Sequence, residues 1–136
     1  MPVTYDSDLN HIDWSALKST LVADNFDNGR TPQQLERSFR NSHSVCFAFD
    51  NDRVVGTARV LSDGVCNAYL VDVWTLTAYR GQGIARRMIE TLLAPLRGQH
   101  VYCQSDDDST EFYKKLGFSE RPTGMEKVIG QWLVNT

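Results

Sequence analysis

Two glycines one residue apart, in Arg80-Gly81-Gln82-Gly83, stand where a strongly apolar run ends and an amphipathic run begins. A strand-to-helix turn of this kind leaves backbone N–H groups unpaired at the positive end of the helix dipole, which is where an anion binds. The missing side chains at Gly81 and Gly83 let a phosphate reach the backbone, and Arg80, Arg86 and Arg87 add positive charge nearby. A nucleotide-hydrolase loop would end in Gly-Lys-Ser or Gly-Lys-Thr, whereas Ile84-Ala85 follows here. A dinucleotide loop would carry a third glycine where Arg86 stands. The remaining alternative is a tight turn that only joins a strand to a helix.

Other residues could do chemistry close to this turn. Asp72 is the single charge in the apolar run 68–76, and a lone buried carboxylate is costly unless it is paired or functional. Two readings stay open for it: a proton acceptor for an ammonium group, or the cross-strand partner of Arg59. Tyr113 lies one step round a short helix from Phe112, whose partner Leu116 marks the expected buried stripe, so its ring faces either a cleft or the core. Trp74 reads as core or pocket wall. Cys46, Cys66 and Cys103 form no CxxC pair and indicate neither a disulfide framework nor a zinc site, and His11, His43 and His100 share no metal spacing.

These residues need elements to hold them. A short strand is expected at residues 3–5, then a helix over 13–23 with Trp14, Leu17 and Leu21 at helical spacing. Thr31, Pro32 and Gln34 form a capping box opening a second helix that ends near Asn41 or Ser42. From Val45 the period becomes two, and turns at Asp50-Asn51-Asp52 and Ser62-Asp63-Gly64 predict an antiparallel meander through 68–76. Ile84, Met88, Ile89, Leu92 and Leu93 make the apolar stripe of a helix stopped near Pro95. A strand over 100–104, a helix over 109–116 stopped by Gly117, and a strand pair at 118–120 and 127–134 complete the expectation. The sum is an α+β mixed sheet carrying helices.

With 136 residues, 41% of them hydrophobic and 23% charged, the chain suits one domain over residues 1–136 that needs no staple. A net charge of −3 gives no footprint for nucleic acid or an anionic membrane. No apolar run approaches the roughly 20 residues that span a bilayer and no secretory leader is legible, so the expected compartment is cytoplasmic.

Arg80-Gly81-Gln82-Gly83-Ile84-Ala85, with Tyr79 before it, resembles the coenzyme-A-binding motif Gln/Arg-x-x-Gly-x-Gly/Ala of the GNAT N-acetyltransferase superfamily. Asp106 and then Phe112-Tyr113-Lys114-Lys115-Leu116-Gly117-Phe118 are similar to its second signature, Asn-x-x-Ala-x-x-Phe-Tyr-x-x-x-Gly-Phe. Ser62-Asp63-Gly64, Asn67-Ala68 and Asp72-Val73 are similar to the arylalkylamine or serotonin N-acetyltransferase-like group, over residues 62–118. Thr77 departs from the usual Pro, and Asp106 from the usual Asn.

The resemblance implies a GNAT fold, mostly antiparallel with helices on both faces of the sheet. It implies acetyl-CoA as co-substrate, no metal, and direct attack of an amine on the thioester without a covalent enzyme nucleophile. It assigns the pyrophosphate to the loop residues Gly81, Gln82, Gly83, Ile84, Ala85 and Arg86, and counts Arg80 among the cofactor-binding residues. The backbone of Val73, Trp74 and Thr75 would run along the pantetheine arm and the acetyl carbonyl, with Asp106 also on that arm and Tyr113 as general acid. A primary amine is the implied acceptor, with a small aromatic or alkyl amine ahead of a protein lysine or N-terminal amine. A non-catalytic acyl-CoA-binding module is a further alternative, and a homodimer is common in the superfamily.

Overall fold

A computed structural model describes residues 2–133, which fall into two compact units that divide between Gln104 and Ser105. In the first, a five-stranded sheet runs in the order β1 (Thr4–Asp6), β2 (Ser44–Asp50), β3 (Arg53–Ser62), β4 (Asn67–Thr75) and β5 (His100–Cys103). The first four strands are antiparallel neighbours, and β5 joins β4 in parallel. The helices α1 (Trp14–Ala23), α2 (Pro32–Arg40) and α3 (Ile84–Leu93) complete it.

Local chemistry accounts for the helix ends. Asp13 accepts from the Ala16 N–H at the start of α1, and Thr31 and Gln34 close the expected capping box on α2. The alternation of β2 then decides which helix packs where. Phe47 meets the rings of Trp14 and Phe39 at centroid distances of 6.1 and 5.3 Å, which puts α1 and α2 on its face of the sheet. Ala48, the next residue, points the other way. It lies opposite Gly56, where α3 approaches so closely that a Cβ on Gly56 would sit 3.1 Å from Met88, 3.2 Å from Ala48 and 3.3 Å from Ile84. Helices therefore cover both faces of an α+β sheet, as the resemblance implies.

The second unit contains α4 (Thr110–Lys115). Gly117, at φ 96°, closes this helix: its N–H donates to the Lys114 carbonyl and the Phe118 N–H to that of Tyr113. The buried residue of α4 is Tyr113, packed against the rings of Phe112 and Phe118, so the stripe is centred on Tyr113 and not on Phe112 and Leu116 as expected. The expected strand pair at 118–120 and 127–134 is absent from residues 118–133, and Val134 lies outside the described residues. Gly130 turns the chain left-handed at φ 69° inside the second run, which a strand does not tolerate well.

The contact at Gly56 makes a prediction. Gly56→Val forces two methyl groups into the seam that joins α3 to the sheet, and unfolding in urea should show a loss of about 1–3 kcal/mol, as for overpacked cores. A midpoint equal to the parent's would mean that α3 is not seated as described.

Candidate active site

The two strands next to the glycine turn differ in length. The β4 to β5 ladder stops at Leu70 opposite Cys103, whereas β4 continues to Thr75. Over residues 71–75 the β5 side of β4 has no strand partner among the described residues, so its main-chain donors and acceptors stand open along one edge. By alternation the groups of Val73 and Thr75 face that edge, with the Thr75 carbonyl taken by Arg80 Nε, whereas Trp74, opposite Thr57, turns its own to β3 as Leu76 does to Val55.

The same stretch carries a bulge. Val71 lies opposite Arg59 and Trp74 opposite Thr57, so Asp72 and Val73 together face the single residue Ala58. Asp72 takes the left-handed conformation, φ 54°, which suits an Asp better than a branched residue. The register sets Arg59 opposite Val71 and not opposite Asp72, yet the ion pair forms: Arg59 Nε donates to Asp72 Oδ2 at 2.6 Å.

A second arginine, unforeseen from the sequence, completes the cluster. Arg30 donates from Nη1 and Nη2 to the two Asp72 oxygens, each at 3.0 Å. The three side chains are only 10–12% exposed. Burial pushes the Asp72 carboxyl upward, but the hydrogen bonds and charges of Arg30 and Arg59 outweigh it and leave it below its ordinary value. A carboxylate bonded through both oxygens to two guanidinium groups is a poor proton acceptor at neutral pH, so the geometry favours the ion-pair alternative for Asp72.

Asp24, at the end of α1, is a similar omission. Its Oδ2 accepts from Trp74 Nε1 at 2.9 Å and from the Thr77 N–H at 3.1 Å. Trp74 is thus 2% exposed and bonded through its indole, which makes it a core residue. The missed signal was the demand itself: a buried Asp and a buried Trp each need a polar partner.

Beyond β4, a 3-10 turn (Thr77–Tyr79) leads into the glycine pair. Gly81 and Gly83 adopt φ 79° and 81°, with nothing within 4 Å of where a Cβ would stand. Ile84, Ala85 and Arg86 form the first turn of α3, whose N–H groups have no intrahelical carbonyl to meet. The Tyr79 hydroxyl donates to the Asp50 carboxylate, tying the turn to the end of β2. The arginines are less free than expected. Arg80 Nε donates to the Thr75 carbonyl at 3.1 Å, Arg86 pairs with Glu90, and Arg87 lies over the Tyr5 ring. Gln82 completes the loop between the two glycines.

The remaining expected site residues belong to the second unit. Asp106 accepts from the Ser109 N–H at 3.0 Å and so shapes the turn before α4, on which Tyr113 stands. None of the expected site residues lines the shallow cavity of about 270 Å³ bounded by Ser19, Thr20, Ala23, Asp24, Arg53 and Leu76. Burial pushes the Cys46 thiol up to about 11, far from a thiolate at neutral pH.

The Asp72 cluster predicts an acid response. Because this carboxyl ionises at a lower pH when folded than when unfolded, it adds stability above about pH 4, the ordinary Asp value, and that stability is lost as pH falls through the lower folded value. Melting curves of the parent should drop on acidification, and Asp72→Asn should be less stable at neutral pH with a shallower acid drop. Parallel pH profiles for the two proteins would contradict the assignment.

Residues 8–118 match the acetyltransferase (GNAT) family. The chain is 34% identical over 101 residues to histone acetyltransferase TAP1 of Glycine max, covering 72% of this chain and 42% of that protein. It is 31% identical over 100 residues to serotonin N-acetyltransferase 2, chloroplastic, of Oryza sativa, covering 68% and 50%. The chain therefore spans half or less of these relatives' lengths. In fold it is similar to a probable acetyltransferase from Staphylococcus aureus, with a TM-score of 0.81 at 20% identity over 96% of this chain and 100% of that one. With the family match running from the 3-10 turn before α1 through α4, the chain belongs to the acetyltransferase (GNAT) family.

Proposed function

We propose that this chain is an N-acetyltransferase that moves the acetyl group of acetyl-CoA to a primary amine, with a small aromatic or alkyl amine as the favoured acceptor. The observation that carries the reading is the unpaired edge of β4 leading directly into the glycine turn of α3. An extended, amide-bearing arm fits the first, as an added strand would, and a pyrophosphate fits the second. Thr75 supports the fit, since its Oγ1 is buried without a hydrogen-bond partner beside that edge.

Acetyl-CoA supplies an activated thioester, whose C–S bond breaks as the amine nitrogen bonds to the carbonyl carbon. The chain's own contribution is binding, orientation and charge. The N–H groups of Val73 and Thr75, on the edge away from β3, hold the acetyl carbonyl and stabilise the negative charge that grows on its oxygen, with Trp74 between them fixed in the core. Gly81, Gln82, Gly83, Ile84, Ala85 and Arg86 hold the pyrophosphate through backbone N–H groups, and the Arg80 contact to the Thr75 carbonyl braces the loop. The resemblance of the second signature gives Tyr113 the role of protonating the departing thiolate and Asp106 that of holding the pantetheine arm. The ammonium proton leaves to water, because Asp72 is committed to its arginines. Rate should then rise with pH as more free amine is present.

A second reading is acetylation of a protein lysine or N-terminal amine, favoured by the name of the soybean relative. The net charge of −3 suits a cationic acceptor of either kind. Among the described residues no helix is long and apolar enough to cross a membrane.

Thiol release from acetyl-CoA across a panel of arylalkylamines, alkylamines and lysine peptides decides between the acceptors. The expected result is release with a small amine at rates above any peptide, and a peptide preference would select the second reading. Tight binding without release to any acceptor would leave a binding module.

Two substitutions test the parts separately. Gly83→Asp places a side chain on a left-handed residue and a like charge at the anion site, so calorimetry should show coenzyme A binding weakened at least tenfold in a folded protein. Tyr113→Phe should lower turnover by about 10²-fold with acetyl-CoA affinity kept, as for a lost general acid. Turnover within about twofold of the parent would make Tyr113 a core residue only.

A further inference from the structure

The connection between α1 and α2, residues 24–31, is bonded to β4 at two points that bracket the bulge. On one side Arg30 forks onto Asp72. On the other, Asp24 receives the indole of Trp74 and the N–H of Thr77. The connection is also braced: Lys18 on α1 pairs with Asp27, and within the connection Arg30 Nε donates to Asn28 Oδ1 at 2.9 Å. Arg30 Nη1 is further fixed to Ser38 Oγ on α2 at 2.8 Å.

A bulge adds one residue to one strand, and its position is free to shift unless something pins it. Moving it by one residue turns the side chain and main-chain groups between its old and new positions to the opposite side. Here each flank is held: Asp72 by Arg30 and Arg59, Trp74 by Asp24. With both flanks fixed, Val73 has one orientation, and so do the main-chain groups of residues 73–75 along the open edge. We propose that Arg30 and Asp24 are positioning residues of the acyl-transfer site, and that residues 24–31 form a strap fixing the β4 bulge. This rests on the reading of the β4 edge as the thioester site. Neither residue touches the reacting atoms, since each acts through β4.

Arg30→Met, Arg30→Lys and Asp24→Ala test the strap. Turnover and KM are measured well below each melting temperature, acetyl-CoA affinity by calorimetry, and residues 73–75 by NMR amide shifts and hydrogen exchange. The expected result for Arg30→Met is a kcat lowered tenfold or more, as small misplacements in a site produce, with the amine KM changed less. Amide shifts and faster exchange should be confined to residues 71–77, while the α3 first turn keeps the parent's spectrum. Arg30→Lys retains the charge without the fork, so it should recover stability more than turnover. Asp24→Ala should show the same pattern centred on Trp74.

A lower melting temperature together with parent-like kcat and parent-like amides at 73–75 would make the strap purely structural and overturn the proposal. Should Arg30→Met not fold, Arg30→Lys and Asp24→Ala carry the same comparison. If the parent acetylates no amine, the proposed function fails, while the amide shifts and exchange at 73–75 still decide whether the strap holds the bulge.

Discussion

A regular strand cannot present two consecutive residues to one partner, yet β4 sets Asp72 and Val73 against Ala58 alone. The distortion needs a left-handed residue, and the chain uses an aspartate there instead of a glycine. Glycine would meet the backbone requirement with less strain but would bring no charge. Aspartate accepts the strain, and its carboxylate gives the bulge two anchors, Arg59 from the neighbouring strand and Arg30 from a distant connection. The Asp72 carbonyl is held as well, accepting from Thr57 Oγ1 at 2.8 Å. Conformation, charge and tertiary contact therefore meet in one residue, and the geometry of the open β4 edge follows from it.

The opposite face of the sheet solves a different problem, which is where the first turn of α3 lies. Gly56 lets α3 settle onto β2 and β3 at the shortest distance that side chains permit, and Tyr79 ties the preceding turn to Asp50. Gly81 and Gly83 then stand in open space with left-handed backbones. Their value lies in what they leave out, since the donors of a helix start are useful to an anion only where no side chain blocks them. The seam at Gly56 thus fixes the position of the glycine turn, and the bulge fixes that of the open β4 edge.

Much of this was legible in the sequence where the determinant is local. The capping box at Thr31 and Gln34, the period-two run through β2 and β3, the stripe of α3 and the glycine turn each depend on residues within one turn or one hairpin of each other. What escaped depends on contacts between distant residues. Arg59 falls opposite Val71 because the loop at 63–66 is folded by Asp63, whose Oδ1 accepts from the N–H groups of Val65, Cys66 and Asn67, and a turn signal alone does not give that register. Arg30 carries no periodic signal, standing between Gly29 and the cap of α2, and meets Asp72 only through the tertiary fold. The spacing of Tyr113 leaves it facing a cleft or the core beside a Phe112 expected to be buried, and it is the turn at Gly117 that brings Phe118 back against Tyr113 and centres the packing there.

Two guanidinium groups against one carboxylate leave the cluster a net positive charge in a nearly dry place. Such a surplus is costly unless the remaining N–H groups find oxygens. They do: Arg59 Nη1 reaches the Ser38 carbonyl and Ser42 Oγ, each at 3.3 Å, and Arg30 Nη1 reaches Ser38 Oγ. Ser38 lies on α2 and Ser42 just past its end, so the charge surplus itself draws α2, the strap and β4 together. A neutral pair could hold a bulge with fewer demands, but it would not bind three elements to one atom group. In the proposed reaction, with the substrate amine as nucleophile, rate depends on how well the thioester is aimed, and rigidity at residues 73–75 would set that aim. The buried charge is best understood as the source of that rigidity, which is why its carboxylate is unsuited to exchange protons with an incoming amine.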